Sequence, residues 1–235
     1  MAILNFLQNY PFILSFILGL LPALVWLWFW LKEDRHHEPA KMITLSFLGG
    51  MLAVLLVLPL EKLVYTYIKD PNLISFVLWA SIEELAKFAF VYFIALRNKI
   101  VTDEPVDDMI YLIVSALGFV TFENTLFLIP SIHAGNIVDT IVSGNLRFVG
   151  ASLLHIMSSA TIGVYMALAF YKSHADKVFY TITGVIVAIM LHTGFNLLII
   201  NSAEKNILLT FGTVWIGVVI LLLLFEKIKH IKHYE

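Results

Sequence analysis

Apolar residues run along this chain in blocks too long and too unbroken for a soluble fold. Residues 11–31 (PFILSFILGLLPALVWLWFWL) carry no charge over a length that crosses a bilayer, which takes about 20 helical residues. Further apolar stretches cover about 42–60, 72–96, 108–130, 148–171, 177–200 and 206–225, joined by short polar connections. The pattern predicts an all-α, polytopic transmembrane helix bundle of about seven helices. No repeat period or Gly/Ser linker divides the chain, so residues 1–235 read as one membrane-embedded domain. Residues 1–10 hold no Lys or Arg and no small-residue cleavage site follows, so the first helix is expected to be retained rather than removed as a signal peptide.

Composition agrees: 60% of residues are hydrophobic, 14% are charged, and the mean hydropathy is +0.89. The lack of cysteine excludes a disulfide framework, a thiolate zinc site and a cysteine nucleophile, leaving His and carboxylates as the only strong metal ligands. A net charge of -2, with the basic residues in short loops, argues against a nucleic-acid partner. Those basic residues also set an orientation. With the N-terminus outside, the inner connections hold Lys32, Arg35, Lys41, Arg97, Lys99, Lys172, Lys177, Lys227, Lys229 and Lys232, and the outer ones only Lys62, Lys69, Arg147 and Lys205. N-outside and C-inside is therefore expected, with Trp26, Trp28 and Trp30 as a belt at the inner interface.

Against that background a few charged and polar side chains stand out inside the apolar runs. Glu83, Glu84 and Lys87 interrupt the third helix, Glu123 the fourth, His155 the fifth and His192 the sixth. With this topology and a rise of 1.5 Å per residue, all fall roughly 10 to 18 Å below the outer boundary, in one layer. Four charged groups at helix centres cost on the order of 10 kcal/mol to insert, so they must face the bundle interior and be paired or hydrated. Lys87 sits i+4 from Glu83 and i+3 from Glu84 and can neutralise either, leaving the other carboxylate over. Taken singly, each group has a structural explanation: an ion pair for the Glu/Lys trio, interhelical hydrogen bonds for Glu123 and for His192 with Asn196, and close helix packing along His155, Ser159 and Gly163. Their coincidence at one depth on four helices points instead to a shared chemical site.

The ordered set Glu83-Glu84-x-x-Lys87, Phe119-x-x-x-Glu123-Asn124, His155-x-x-x-Ser159 and His192-x-x-x-Asn196 resembles the PrsW family of intramembrane proteases. That family is similar in its core to the CAAX-processing and bacteriocin-processing proteases and to the APH-1 subunit of gamma-secretase. The segment Asp34-Arg35-His36-His37-Glu38-Pro39 is like the acidic, Pro-containing stretch that follows the first helix in PrsW proteins. The resemblance covers about residues 30–200, with the motif-bearing core at about 72–200. It implies an endopeptidase in the bacterial cytoplasmic membrane that makes the first, extracytoplasmic cut in a single-pass membrane-bound anti-sigma factor. Two departures separate the chain from CAAX-type enzymes: Glu123 stands where they have a histidine four residues after a phenylalanine, and Lys87 stands one position before the arginine of their EExxxR.

Peptide hydrolysis needs a base to take a proton from water, donors for the developing oxyanion and an acid for the leaving amine. The residues suggest Glu84 as base with Glu83 paired to Lys87, His155 orienting the water with help from Glu123, and His192 and Asn196 as oxyanion donors. Lys87, Phe119, Asn124 and Ser159 support these groups. Metal-free catalysis is the favoured expectation, with a zinc site of Glu84, His155 and His192 as its alternative. Two other classes use similar residues: a non-catalytic APH-1-like scaffold, which has little use for three buried glutamates, and a proton-coupled transporter, which favours broken helices or inverted repeats.

The remaining polar stretches invite plainer readings. His36 and His37 are expected in a solvated inner turn, and the acids of 102–108 as N-caps of the fourth helix. The basic segment 227–233 suits an anionic inner leaflet. The polar stretch 133–147 is expected to form a surface helix or flap over the site.

Overall fold

A computed structural model of the protein describes residues 10–34, 36–135, 150–202 and 207–231. Among these residues it is all-helical, with seven helices: α1 (Pro11–Glu33), α2 (Ala40–Tyr67), α3 (Leu73–Val91), α4 (Asp107–His133), α5 (Ala151–Leu168), α6 (His174–Ser202) and α7 (Ile207–Ile228). Helices α1, α2, α4, α5 and most of α6 are long and apolar enough to cross a membrane. The third helix is kept from that group by the charges of Glu83, Glu84 and Lys87.

Local chemistry fixes where α3 begins, and hence where its charges lie. Asn72 Oδ1 accepts from the backbone N–H groups of Ile74 (2.9 Å) and Ser75 (3.2 Å), while Ser75 Oγ accepts from Asn72 N at 2.8 Å. This reciprocal cap satisfies donors that have no partner within a helix. At its other end α3 runs into a π-helical turn, Tyr92–Leu96, closed by Arg97 N donating to Tyr92 O at 3.2 Å.

Helix α4 forms the centre of the bundle, packed against α1, α2, α3 and α5, while α5 also packs on α6 and α7, and α3 on α6. Its residues Met109 to Val120 are buried on every face, as expected of a helix surrounded by others. The crossing of α2 and α4 is a backbone contact. A methyl on Gly50 would lie 1.9 Å from Ser115 O, and one on Gly118 would lie 1.9 Å from Phe47 O. Small residues at such crossings let helices approach closely where no hydrophobic driving force separates protein from lipid.

Several sequence expectations shift. Helix α2 continues past Leu60 to Tyr67, carrying Glu61 and Lys62 within the helix. Trp28 is 63% exposed as a belt residue should be, but Trp30 is buried against Phe225, with ring centroids 5.4 Å apart. The acids before α4 do not cap it: its N-cap is Val106, without a side-chain hydrogen bond, and Asp107 Oδ2 accepts from Glu104 N at 2.7 Å. The first inner turn is only partly solvated. His36 and His37 are exposed, and His36 Nδ1 pairs with Glu104 Oε1 at 2.5 Å. Asp34, by contrast, is buried, and Glu38 Oε2 accepts a hydrogen bond from the Tyr111 hydroxyl. Close packing of the turn against α4 explains the difference. At the far end of the chain Lys229 pairs with Glu226 (3.0 Å) and Glu33 (3.4 Å), tying α7 to α1. The stretch 136–149, and with it most of the expected flap, lies outside the described residues, as do Lys232 and His233.

Candidate active site

Four helices bring the intramembrane polar groups together. Helix α3 supplies Glu83, Glu84 and Lys87, α4 supplies Glu123 and Phe119, α5 supplies His155 and Ser159, and α6 supplies His192. All are buried except Glu123, whose side chain is 34% exposed at the edge of the cluster. On α5 the line His155, Ser159, Gly163 packs as its small residues suggest: a methyl on Gly163 would lie 2.5 Å from Met109 Cα on α4.

The two adjacent glutamates have opposite surroundings. Glu84 is fully enclosed and saturated: Oε1 accepts from Lys87 Nζ at 2.6 Å and meets His192 Nδ1 at 2.7 Å, while Oε2 accepts from Ser159 Oγ at 2.8 Å. The expected Glu83–Lys87 pair is therefore not formed; Lys87 turns to the i−3 partner. Residues 83 and 84 diverge by about 100° around the helix, and the Glu84 side lies within reach of Lys87, Ser159 on α5 and His192 on α6 together. A fully buried ion pair survives only with such additional hydrogen bonds. The ammonium is further held 4.9 Å over the Phe119 ring and 3.1 Å from His155 Nδ1.

Glu83 has the reverse arrangement. Its Oε2 is buried without a hydrogen-bond partner among the described residues, 3.7 Å from His155 Nδ1 and 3.7 Å from His192 Nε2. The outer nitrogens of both rings are engaged by carboxylates: His192 Nδ1 by Glu84, and His155 Nε2 by Glu123 Oε2 at 3.2 Å. The network thus assigns the proton of each ring to the nitrogen facing its carboxylate, leaving a lone pair on the nitrogen that faces Glu83. One ligand atom each from Glu83, His155 and His192 lie within 4.8 Å of one another. The two rings stand edge to face, centroids 5.0 Å apart, and Phe119 packs on His155 at 5.3 Å.

This donor set fits a divalent cation. Carboxylates orienting the far nitrogens of ligand histidines are the usual outer shell of such sites, and two imidazoles with one carboxylate is a common catalytic zinc set. Charge balance points the same way: Lys87 offsets Glu84, while Glu83 and Glu123 leave two negative charges that a buried site must compensate. The carboxylate in the set is Glu83, not Glu84 as the sequence-based zinc alternative had it. Asn196 lies one turn past His192, half-buried, with no hydrogen bond to the cluster among the described residues. Asn124 is buried on α4. A further carboxylate, Glu61 on α2, is half-buried, with its backbone carbonyl accepting from Trp79 Nε1 at 3.4 Å one turn before Glu83, and was not singled out from the sequence. Its signal was its place beside the apolar run 42–60, which, continued by one turn, puts it inside the helix.

Comparison with known proteins gives the same reading. Residues 38–225 match the model of the PrsW family intramembrane metalloprotease. The chain is 31% identical to Protease PrsW of Geobacillus kaustophilus (strain HTA426) over 161 residues, 66% of this chain and 64% of that protein, so it spans just under two thirds of that relative's length. It is 28% identical to Protease PrsW of Clostridioides difficile (strain 630) over 83% of this chain and 82% of that protein, and 27% identical to Protease PrsW of Bacillus subtilis (strain 168) over 77% and 80%. No solved structure matches. With four helices supplying the ordered glutamates and histidines and a family match over residues 38–225, this chain belongs to the PrsW family of intramembrane metalloproteases.

Proposed function

We propose that the protein is an intramembrane endopeptidase of the bacterial cytoplasmic membrane, with Glu83, His155 and His192 as the ligands of a catalytic divalent metal. The observation that carries this reading is Glu83 Oε2, a buried, unpartnered carboxylate oxygen facing two imidazole nitrogens at 3.7 Å. When bound, a metal such as zinc supplies Lewis acidity, making a water nucleophilic and polarising the scissile carbonyl. Lys87 Nζ lies 3.1 Å from His155 Nδ1, so a metal held by that nitrogen would take the lone pair it shares with the ammonium, and Lys87 would keep its bond to Glu84 Oε1.

The chain's own groups then divide the work. Glu84 is saturated by Lys87, His192 and Ser159 and holds His192 in the tautomer that presents Nε2 inward. Glu123, the one exposed member of the cluster, is the base that takes a proton from water, and it orients His155 meanwhile. Asn196, half-buried beside the cluster, is placed to donate to the substrate carbonyl as charge develops. Burial of the site in the bundle excludes bulk water and strengthens each of these interactions.

The substrate class follows from the setting and the family likeness: a single-pass membrane protein, with an anti-sigma factor cut first on the outer face as the specific reading. The distribution of Lys and Arg supports an outside N-terminus, which puts Glu61, Glu83 and Glu123 towards the outer side. The test is reconstitution of the full chain in liposomes with candidate single-pass substrates and mass mapping of the fragments, with and without a strong chelator. Cleavage near the outer face that the chelator abolishes and added Zn²⁺ restores supports the reading. Full activity in protein shown to contain no metal would sink the metal centre and leave Glu83, in place of Glu84, as the candidate for a metal-free base.

A further inference from the structure

Three lysines gather on one aromatic patch where the helices that carry the site end. Lys99 follows the π-helical turn that closes α3, Lys172 follows α5, and Lys177 lies in the first turn of α6. Lys99 Nζ lies 5.8 Å from the centre of the Phe170 ring and Lys177 Nζ 5.6 Å from the centre of the same ring. Lys172 Nζ sits 4.8 Å over the Tyr180 ring and donates to its hydroxyl at 3.2 Å. Tyr180 is i+3 from Lys177 and so its neighbour on the surface of α6. The chain makes this convergence by turning tightly after α5, with Phe170 N donating to Ala167 O at 3.1 Å and Lys172 N to Ala169 O at 2.9 Å.

An aromatic ring attracts an ammonium without neutralising it, so the three charges persist. Among the described residues no carboxylate lies within 4.0 Å of any of them, whereas Lys87 and Lys229 each have an acidic partner. The charges of Lys99 and Lys177 act on Asp108, but that acid is buried in the first turn of α4. Like charges brought together are unfavourable until an anion joins them. The rim of the patch is apolar: Ile100 is 87% exposed, Phe179 67%, and Tyr171 is exposed beside Phe170. Bare ammoniums next to exposed apolar side chains, on a chain that crosses a bilayer, complement one class of molecule, with an anionic phosphate joined to acyl chains.

We propose that Lys99, Lys172 and Lys177 form a headgroup site for an anionic phospholipid, drawn from the leaflet that the Lys and Arg distribution makes the inner one. Basic clusters between helices on that side suit anionic headgroups, and each lysine close to such charge contributes about fivefold in affinity. The placement gives the lipid a role. Helix α3 carries Glu83 and Glu84, α5 carries His155 and Ser159, and α6 carries His192, so one headgroup bridging the three lysines ties together the ends of the three helices without touching the cluster itself. No metal at that cluster is needed for the lipid to bind.

The test uses the full chain purified in detergent and freed of lipid, titrated with dioleoyl phosphatidylglycerol or dioleoyl phosphatidylcholine, with bound lipid counted by native mass spectrometry. Wild type is expected to take up phosphatidylglycerol in preference to phosphatidylcholine. The triple variant Lys99→Gln, Lys172→Gln, Lys177→Gln is expected to bind phosphatidylglycerol about 100-fold more weakly. A matched triple variant, Lys32→Gln, Lys41→Gln, Lys227→Gln, removes as much charge from the same side elsewhere and is expected to bind as wild type does. Equal loss in the two triple variants overturns the site, because the attraction is then a general one, and so does equal uptake of the two lipids by wild type. Displacement of the lipid by glycerol phosphate at matched concentration would assign the lysines to a soluble phosphate and overturn the lipid reading. Should the first triple variant not fold, Lys99→Gln and Lys177→Gln made singly are each expected to weaken phosphatidylglycerol binding about fivefold, and wild-type binding in both overturns the proposal.

Discussion

The two ends of α4 bury acids in opposite ways. Around Glu123 three carboxylates meet bases: Glu84 meets Lys87 and His192, Glu123 meets His155, and Glu83 faces both imidazoles. Around Asp107 the acids meet one another. Glu38 accepts from the Tyr111 hydroxyl, the charges of Asp34 and Asp103 act on it, and the neighbouring imidazoles, His36 and His37, are exposed. Burial pushes the Glu38 and Asp34 carboxyls above their ordinary values of 4.5 and 3.8, outweighing the hydrogen bonds that oppose it. One end thus sets buried acids against bases, and the other sets acids beside one another.

The sharpest way to break this contrast is Glu83→Gln, which leaves the Glu84–Lys87 pair intact. Cleavage of a reconstituted substrate is expected to fall by more than about 100-fold, since losing a metal ligand costs at least as much as losing one of the groups that orient it. A variant retaining a tenth of wild-type rate would make Glu83 another structural acid. Next in size is Lys87→Met, which strands the fully enclosed Glu84 without its cation. Chemical unfolding in detergent should show a loss of about 3–5 kcal/mol, and Glu84→Gln on top should recover part of it if the pair is the cause.

The rod that joins the two ends offers a smaller test. Gly118→Ala puts a methyl onto the Phe47 carbonyl and is expected to cost about 1–3 kcal/mol of stability. Gly194→Ala, with nothing within 4 Å of the added carbon, should stay within about 0.5 kcal/mol. The smallest effect concerns pH at the Asp107 end. Because folding favours the protonated forms of Glu38 and Asp34, their contribution is full below the ordinary carboxylate range and is lost as pH rises through their elevated folded values. Thermal unfolding in detergent should therefore show a midpoint that drops from pH 4 upward, with a shallower drop in Glu38→Gln. Equal slopes would remove Glu38 from the account.

Most of the architecture was legible because a bilayer leaves few options: every long apolar run has to be a helix, and every charge within one has to find a partner. That logic located Glu83, Glu84, Glu123, His155 and His192. It could not decide which glutamate takes Lys87, since i+3 and i+4 spacings both permit the contact and only the packing of α5 and α6 around Glu84 separates them. Glu61 escaped because a charge at the end of an apolar run looks like the start of a loop, and nothing local shows that α2 continues to Tyr67. The Glu38–Tyr111 contact joins residues 73 positions apart, so no short-range pattern contains it.

The backbone contact at Gly50 and Gly118 makes α2 and α4 a pair of scissor blades. Glu61 lies eleven residues beyond one side of that pivot, roughly 16 Å along the helix, and Glu123 five residues beyond the other, roughly 7 Å. A 5° change in their crossing angle would carry the Glu61 backbone by about 1.4 Å at that distance, comparable to half a hydrogen-bond length. The separation of Glu61 from Glu123 is thereby set at a glycine contact between α2 and α4, where no substrate need ever touch.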